Sequence, residues 1–471
     1  MVLKLFPEIL SYIMILAQES PLHSTPMNAD SREIGLDDLD QPPQQLFEVT
    51  ISHVNTQLRT VALDTPRLWS SIHVDAGVPI AKTEAYLRRS GGHLLSLRIE
   101  SSEPAFQNGG EEQMRRTMKT MAQESKRWRQ LTIVAECEGI DGVVGAVVAR
   151  LNDGDGGTLV PELQYLSISV DYEDESDKSG DDTTRIPFAQ ILLAHMPKLS
   201  FLRLRGLGIY LLRPIYLPAL RILHLDQTKA IPITYTLFSR IVAACPMLEH
   251  LSMYGDITIG NVTASGKEYD TIIRVPELRS LRICGTRGLV YGILLFQVEA
   301  PKLTNLFLKD VQERDLESLW EALPPMATSR FRQIQSLTIS NSNLSMDAYR
   351  RLFRVFPSIT EFTSYSSMEV DAAEKLLIGG VTGVPWPSLR TLTFIFDVDL
   401  DVDDVALEEI LKQRKMHGCP VRKLRIGVAD LGMYDETELA AHDAIIVLEE
   451  FDEYDVWPIN RRYPDIDDVL F

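Results

Sequence analysis

The residues whose spacing comes nearest to a ligand-binding pattern are a run of carboxylates near the C-terminal end. Positions 1, 3, 5, 7 and 12 of a calcium-loop count hold Asp397, Asp399, Asp401, Asp403 and Glu408. Position 6 of such a loop needs glycine for a sharp turn, and here it is Val402. We therefore interpret the run as an exposed acidic loop, in which Asp403 or Asp404 caps a helix that begins near Val405.

Other patterns that would carry catalysis or hold a cofactor are missing from the sequence. Gly206-Leu207-Gly208 lacks the third glycine and the lysine of a nucleotide loop, and no HExxH, GxSxG or kinase signature occurs. The four cysteines are Cys137, Cys245, Cys284 and Cys419, and none has a partner at zinc-site spacing. These features predict a non-enzyme without cofactor or metal, with reduced cysteines, in the cytoplasm or nucleus.

Composition limits the classes of partner. The chain has 471 residues, is 45% hydrophobic and 24% charged, and carries a formal net charge of -19. Such a length favours several domains or one elongated repeat array, and such acidity disfavours nucleic acid and anionic lipid as partners. Pro7 and Glu8 interrupt the apolar start at residues 3–17, which argues against a signal peptide, and no later run is apolar enough to span a membrane.

The first 75 residues have the pattern of a small helical module. Pro7 suits the first position of a helix because its missing N–H would have no partner there, and Glu8 complements the positive helix end. Residues 19–45 are predicted to form a loop. One apolar helix stripe is then predicted from Phe47, Ile51, Val54, Leu58 and Val61. Asp64-Thr65-Pro66 ends this helix, and Ile72 and Val74 follow in an extended segment.

This module resembles the F-box of a large fungal, basidiomycete-type protein family. The match lies in Leu5-Phe6-Pro7-Glu8-Ile9-Leu10, His53-Val54 and Thr65-Pro66-Arg67-Leu68-Trp69-Ser70-Ser71-Ile72. Two residues depart from the family pattern: Asn55 stands where cysteine is usual, and Leu58 where tryptophan is usual. The resemblance implies binding to the Skp adaptor of a cullin–RING ubiquitin ligase, with contacts from Phe6, Pro7, Ile9, Leu10, Leu68 and Trp69. The alternative is a helical cap without a partner.

A recurring phrase dominates the rest of the chain: proline, any residue, leucine, two residues, leucine, one residue, apolar. Clear copies begin at Pro161, Pro197, Pro218, Pro246, Pro276, Pro301 and Pro387. Degenerate or terminal copies are Leu94-Leu97-Ile99, Ile334-Leu337-Ile339, Pro357-Ile359-Phe362 and Pro420-Leu424-Ile426. The final alternation predicts a strand with one buried face, and such strands must stack to bury it.

The segments between copies are often amphipathic and predict helices. The predicted helical segments are 186–196, 235–245, 316–323, 346–356 and 405–416. Repeated strand and helix predict an α/β leucine-rich-repeat solenoid over residues 76–434, with a C-terminal cap and acidic tail over 435–471. A doubly wound α/β enzyme would also alternate strand and helix, but it would not repeat the phrase.

The residues that alternate with the buried leucines are predicted to line the concave face of the repeat array. They are Ser167, Arg203, Arg205, His224, Asp226, Ser252, Arg282, Lys309, Ser336, Thr338 and Ser340. Arginine forks suit carboxylate and phosphate groups. The predicted target site is therefore Arg203, Arg205, His224, Arg282 and Lys309, and the predicted target is acidic or phosphorylated. The resulting hypothesis is a substrate-recognition subunit of a ubiquitin ligase; the alternative is a leucine-rich-repeat scaffold.

Overall fold

The computed structural model of the chain is an α/β architecture built on parallel strands. It describes residues 5–18, 46–75, 77–101, 110–135, 160–170, 196–206, 209, 216–227, 233–258, 272–285, 289–316, 331–340, 344–366, 384–396, 404–428 and 445–450. Two compact units are present, and the first passes into the second between Leu220 and Arg221.

The first unit opens with helices. They are α1 (Pro7–Gln18), α2 (Phe47–Val54), α3 (Thr56–Leu63), α4 (Ile80–Arg89) and α5 (Glu111–Ala122), with 3-10 turns at Pro66–Trp69 and Ser125–Arg127. The prediction that Pro7 begins a helix is confirmed, as is the helix end before Asp64. The predicted loop at 19–45 lies outside the described residues.

The prediction of one continuous helix through residues 47–61 is wrong. Asn55 has extended backbone, with φ -159° and ψ 172°, and it separates α2 from α3. Its side-chain oxygen accepts a hydrogen bond from the backbone N–H of Leu58 at 2.8 Å, which caps the N-terminus of α3. An asparagine competes well for a helix start because it satisfies a backbone donor that would otherwise have no partner.

Five parallel strands form the sheet of the first unit. They are β1 (Ser71–Asp75), β2 (Leu95–Ser101), β3 (Trp128–Ala135), β4 (Tyr165–Val170) and β5 (Phe201–Gly206), and each pairs with the next. The predicted strands at Leu97, Leu166 and Leu202 are confirmed, and the extended segment at Ile72 is a sheet strand. β3 has the alternation Leu131-Thr132-Ile133 without the preceding proline of the phrase, and it was not predicted.

The second unit contains a longer run of parallel strands. In pairing order these are β6 (Ile222–Asp226), β8 (His250–Tyr254), β11 (Ser280–Cys284), β13 (Asn305–Lys309), β14 (Ser336–Ser340), β15 (Glu361–Ser366), β16 (Thr391–Phe396), β17 (Lys423–Val428) and β18 (Ile445–Glu450). Every predicted copy in this unit lies on one of these strands. Two short parallel ladders join β7 (Ile233–Thr234) to β9 (Ile257–Thr258), and β10 (Ile273–Arg274) to β12 (Val298–Glu299).

Helices connect several of these strands. They are α6 (Tyr235–Ala243), α7 (Leu289–Gln297), α8 (Met346–Val355) and α9 (Asp404–Met416). The helices predicted over 235–245, 346–356 and 405–416 are confirmed, whereas the residues of 186–195 and 317–323 lie outside the described residues. Thr234 and Ser345 accept hydrogen bonds from the first-turn N–H groups of α6 and α8, so side-chain caps fix where these helices begin.

Strand pairing continues across both predicted domain boundaries. β1 precedes the boundary at residue 75, and its five residues are in register with β2 beyond it. β18 follows the boundary at residue 434, where a C-terminal cap was predicted, and it extends the ladder from β17.

Candidate interaction surfaces

One face of α1 exposes an apolar stripe. The stripe consists of Phe6, Ile9, Tyr12, Ile13 and Leu16, which are 71%, 45%, 62%, 47% and 49% exposed. At about 100° per residue these positions fall within an arc of about 120°. Single exposed apolar side chains are ordinary, but five on one arc form a patch of the kind that binds a protein.

The opposite face of α1 is part of a compact core. Leu10 and Met14 point inward, and α1 packs on α3 and on the 3-10 turn that carries Leu68 and Trp69. The indole N–H of Trp69 donates to the carbonyl of Ala62 at 2.8 Å. These contacts make the tryptophan a fixed part of the interior.

The six predicted adaptor contacts therefore divide into two groups. Phe6, Pro7 and Ile9 are exposed. Leu10, Leu68 and Trp69 are 5%, 0% and 1% exposed, so in this structure they hold the helices together and present no surface. The sequence pattern does not separate the groups, because the residues that pack inward and those that reach the surface are apolar alike.

The polar rows of the strands follow the predicted register. In the first unit His73, Arg98, Thr132, Ser167 and Arg203 lie on consecutive strands at matching positions. In the second unit the matching row is His224, Ser252, Arg282, Phe307, Thr338, Thr363, Thr393 and Arg425. The predicted alternation of core leucine and row residue is thus correct in register.

The expectation that these rows are open to solvent is wrong for most of the predicted target site. Arg203 and Arg282 are each 5% exposed and His224 is 0% exposed, whereas Arg205 and Lys309 are half-buried. Nε of Arg282 donates to the hydroxyl oxygen of Ser252 on the neighbouring strand at 2.8 Å. Strands only about 4.8 Å apart let such side chains cover one another, so register alone does not give exposure.

A charged cluster on β1 and β2 was not predicted as a site. Nε2 of His73 lies 2.9 Å from a carboxylate oxygen of Glu100, and Nε of Arg98 binds the other oxygen. Burial alone would raise the pKa of Glu100, but the His73 hydrogen bond and the charge of Arg98 outweigh it and lower this pKa to about 2. The sequence did contain a pattern that could have predicted this cluster. His73, Arg98 and Glu100 alternate with buried apolar residues of β1 and β2, which places all three on one face of the sheet.

A buried guanidinium lies in the second unit. Arg414 of α9 is 0% exposed, and it donates to the backbone carbonyls of Pro385 and Trp386 at 2.8 and 2.7 Å. Burial lowers the pKa of Arg414 to about 10, so the group stays charged at neutral pH. Trp386 has a positive φ of 45°, and the carbonyl contact helps to hold this strained turn.

The described residues offer no metal site and no disulfide. Among the described residues no group of His, Cys, Asp and Glu side chains could hold a metal ion. Cys245, Cys284 and Cys419 are free thiols, while residues 397–403 of the acidic run lie outside the described residues. Within the described ranges, no helix is both long and apolar enough to cross a bilayer.

Comparison with known proteins gives a structural likeness and no match in sequence. No family model and no curated protein matches the chain. The crystal structure of a Bacteroides fragilis protein, a target of the Northeast Structural Genomics Consortium, is similar at 12% identity. The likeness covers 73% of this chain and 85% of that chain with a TM-score of 0.33, which carries no argument about function.

Proposed function

We propose that this chain is the substrate-recognition subunit of an SCF-type cullin–RING ubiquitin ligase. Its first helices would bind a Skp-type adaptor, and its strands and helices would form a leucine-rich-repeat array that holds a target protein. The observation that supports the proposal most is the apolar stripe on α1. The residues that resemble an F-box supply two members of this stripe, Phe6 and Ile9. They also supply core residues beneath it, namely Leu10, Leu68 and Trp69.

The stripe has the chemistry of a helix that lies in a hydrophobic groove. Such helices present anchors at spacings of three and four residues, as Phe6, Ile9, Ile13 and Leu16 do. Aromatic and large aliphatic anchors usually dominate the binding energy of such an interface, often at about 2 kcal/mol each. We therefore move the proposed adaptor contacts from Leu10, Leu68 and Trp69 to the exposed stripe.

The target would be bound by polar side chains on the sheet. Because Arg203, His224 and Arg282 are buried, the proposal keeps Arg205 in the first unit and Lys309 in the second as accessible cations. An acidic or phosphorylated segment suits either cation. Targets would be captured with the tagged chain while cullin activation and the proteasome are blocked. Arg205→Glu should reduce retention of the target and leave adaptor binding unchanged.

Adaptor binding is the decisive experiment. Purified full-length chain should capture purified Skp-type adaptor, and Ile9→Asp with Ile13→Asp should weaken capture at least about tenfold, because each buries a carboxylate in an apolar interface. The matched control is Ile272→Asp, since Ile272 is 52% exposed in the second unit. A wild-type chain that is folded by circular dichroism but does not bind the adaptor would refute the ligase proposal.

The second candidate is a leucine-rich-repeat scaffold whose helical head serves as a cap. It is favoured by the pairing of β1 with β2, which makes the segment after the head part of the sheet. Under this alternative the adaptor is not captured, and substitutions in the stripe change solubility or self-association only. Sedimentation of the double aspartate variant beside the wild type separates the two cases.

A further inference from the structure

One carboxylate lies buried where three helices of the first unit meet. Glu48, in the first turn of α2, is 5% exposed. Gln18, the last residue of α1, donates from its side-chain nitrogen to Oε2 of Glu48 at 3.0 Å and to the carbonyl of Leu68 at 3.1 Å. From α4, the hydroxyl of Tyr86 donates to Oε1 of Glu48 at 2.6 Å.

Neutral donors satisfy this carboxylate. Within the described part of the chain no ion pair joins Glu48, so the two hydrogen bonds and the positive end of α2 offset its desolvation. Burial and the charge of Glu48 raise the pKa of Tyr86, which therefore stays a donor at physiological pH. Hydrogen bonds to a buried charge are stronger than neutral ones, and losing one leaves an acceptor without a partner.

Tyr86, the α4 residue that contacts Glu48, is held in place by its own neighbours. Tyr86 is 4% exposed, and its ring meets Trp69 edge-on with centroids 5.2 Å apart. The guanidinium of Arg89 lies 4.3 Å from the centroid of the Trp69 ring. α4 connects β1 to β2, so the path from α1 through Gln18, Glu48 and Tyr86 ends on the sheet.

We propose that Glu48 is a positioning residue that couples α1 to α4, so that the apolar stripe is held in a fixed direction relative to the β1–β2 end of the sheet. The importance of the stripe rests on the proposed function, but the coupling itself does not. Gln18 and Tyr86 bind different oxygens of Glu48, so this carboxylate joins their two helices directly. A second route runs from Gln18 to the Leu68 carbonyl and from the Trp69 ring to Tyr86, and removal of the Glu48 carboxylate distinguishes the two.

The test is reciprocal amide hydrogen exchange on the full-length chain. Tyr86→Phe keeps the ring contact with Trp69 and removes only the hydroxyl. Amide exchange in α1 should become about tenfold faster, which corresponds to the free energy of about one hydrogen bond to a charged group. Gln18→Leu should speed exchange in α4 by a similar factor, because coupling is mutual. The matched control is Tyr291→Phe, which removes another buried hydroxyl that donates to the carbonyl of Lys309 at 2.5 Å. It should leave both helices unchanged.

Two results would overturn the coupling. One is unchanged exchange in α1 when the Tyr86 hydroxyl is removed. The other is equal acceleration in α1 and in β4, which would mean a general loss of stability in the first unit. Glu48→Met replaces the carboxylate by a thioether that accepts hydrogen bonds only weakly, so in this background the effect of Tyr86→Phe on α1 should be lost. Adaptor affinity is measured on the same variants to separate the two proposals. If α1 and α4 are coupled but the chain does not bind the adaptor, the coupling proposal holds and the ligase proposal is refuted.

Discussion

Replacing one inward leucine of the second unit tests whether its strands form a continuous repeat core. Leu281 on β11 is 1% exposed. It is in register with Leu251 on β8 and Leu306 on β13, which are 0% and 2% exposed. Leu281→Ala removes most of a side chain that lies between two equivalent leucines.

The expected cost follows from the burial. About three methylene-sized groups at roughly 0.8 kcal/mol each lose about 2.4 kcal/mol of transfer free energy. The cavity adds about 1–2 kcal/mol, because strands that are hydrogen-bonded on both sides cannot close over it. The total loss should be about 3.5–4.5 kcal/mol, within the usual span for a buried leucine.

Urea unfolding of the full-length chain measures the loss in the free energy of unfolding. Amide hydrogen exchange then shows which strands are destabilised. Because repeat arrays gain stability from contacts between neighbours, exchange should rise in β8 and β13 as well as in β11. Leu94→Ala is the matched control: Leu94 is 36% exposed ahead of β2, and its removal should cost less than about 1 kcal/mol.

The refuting result is a small or local effect. If Leu281→Ala costs less than about 1 kcal/mol, Leu281 does not fill a packed core. If the cost is large but exchange in β8 and β13 is unchanged, the strands do not support one another as repeats do.

Three further substitutions test individual contacts. Asn55→Ala should destabilise the first unit by about 1 kcal/mol in urea unfolding through loss of the α3 cap, whereas Asn55→Asp should retain it. The folded pKa of Glu100, about 2, lies below the ordinary 4.5, so its contribution to stability is present above pH 4.5 and lost as pH falls towards 2. The difference in urea midpoint between wild type and Glu100→Gln should therefore shrink over that range. Arg414→Met should lower thermal stability by about 1–3 kcal/mol, because two carbonyls lose their donor, while Arg414→Lys should recover part of the loss.

Local sequence determined most of the strands. The recurring proline-leucine phrase predicted strands in both units. Each copy ends in two large apolar residues separated by one residue, and this alternation can be recognised in each copy separately. Local sequence also predicted several helix boundaries. Pro7 marks the start of α1, Pro66 follows the end of α3, and the amphipathic pattern predicted the helix that ends at Met416. β3 and β18 were missed because they lack both the proline of the clear copies and an aliphatic residue three positions before the first inward residue of the strand, where Trp128 and Asp443 stand.

Only the tertiary structure decided which side chains are available for binding. The motif letters treat Ile9 and Leu10 alike, yet packing on α3 and on the 3-10 turn buries Leu10 and leaves Ile9 on the surface. The same holds for the polar rows: Arg203 and Arg205 have equal status in the sequence, but the first is buried and the second only partly so. Exposure depends on which residues of other strands and helices lie beside a given position, and a period along one segment carries no information about them.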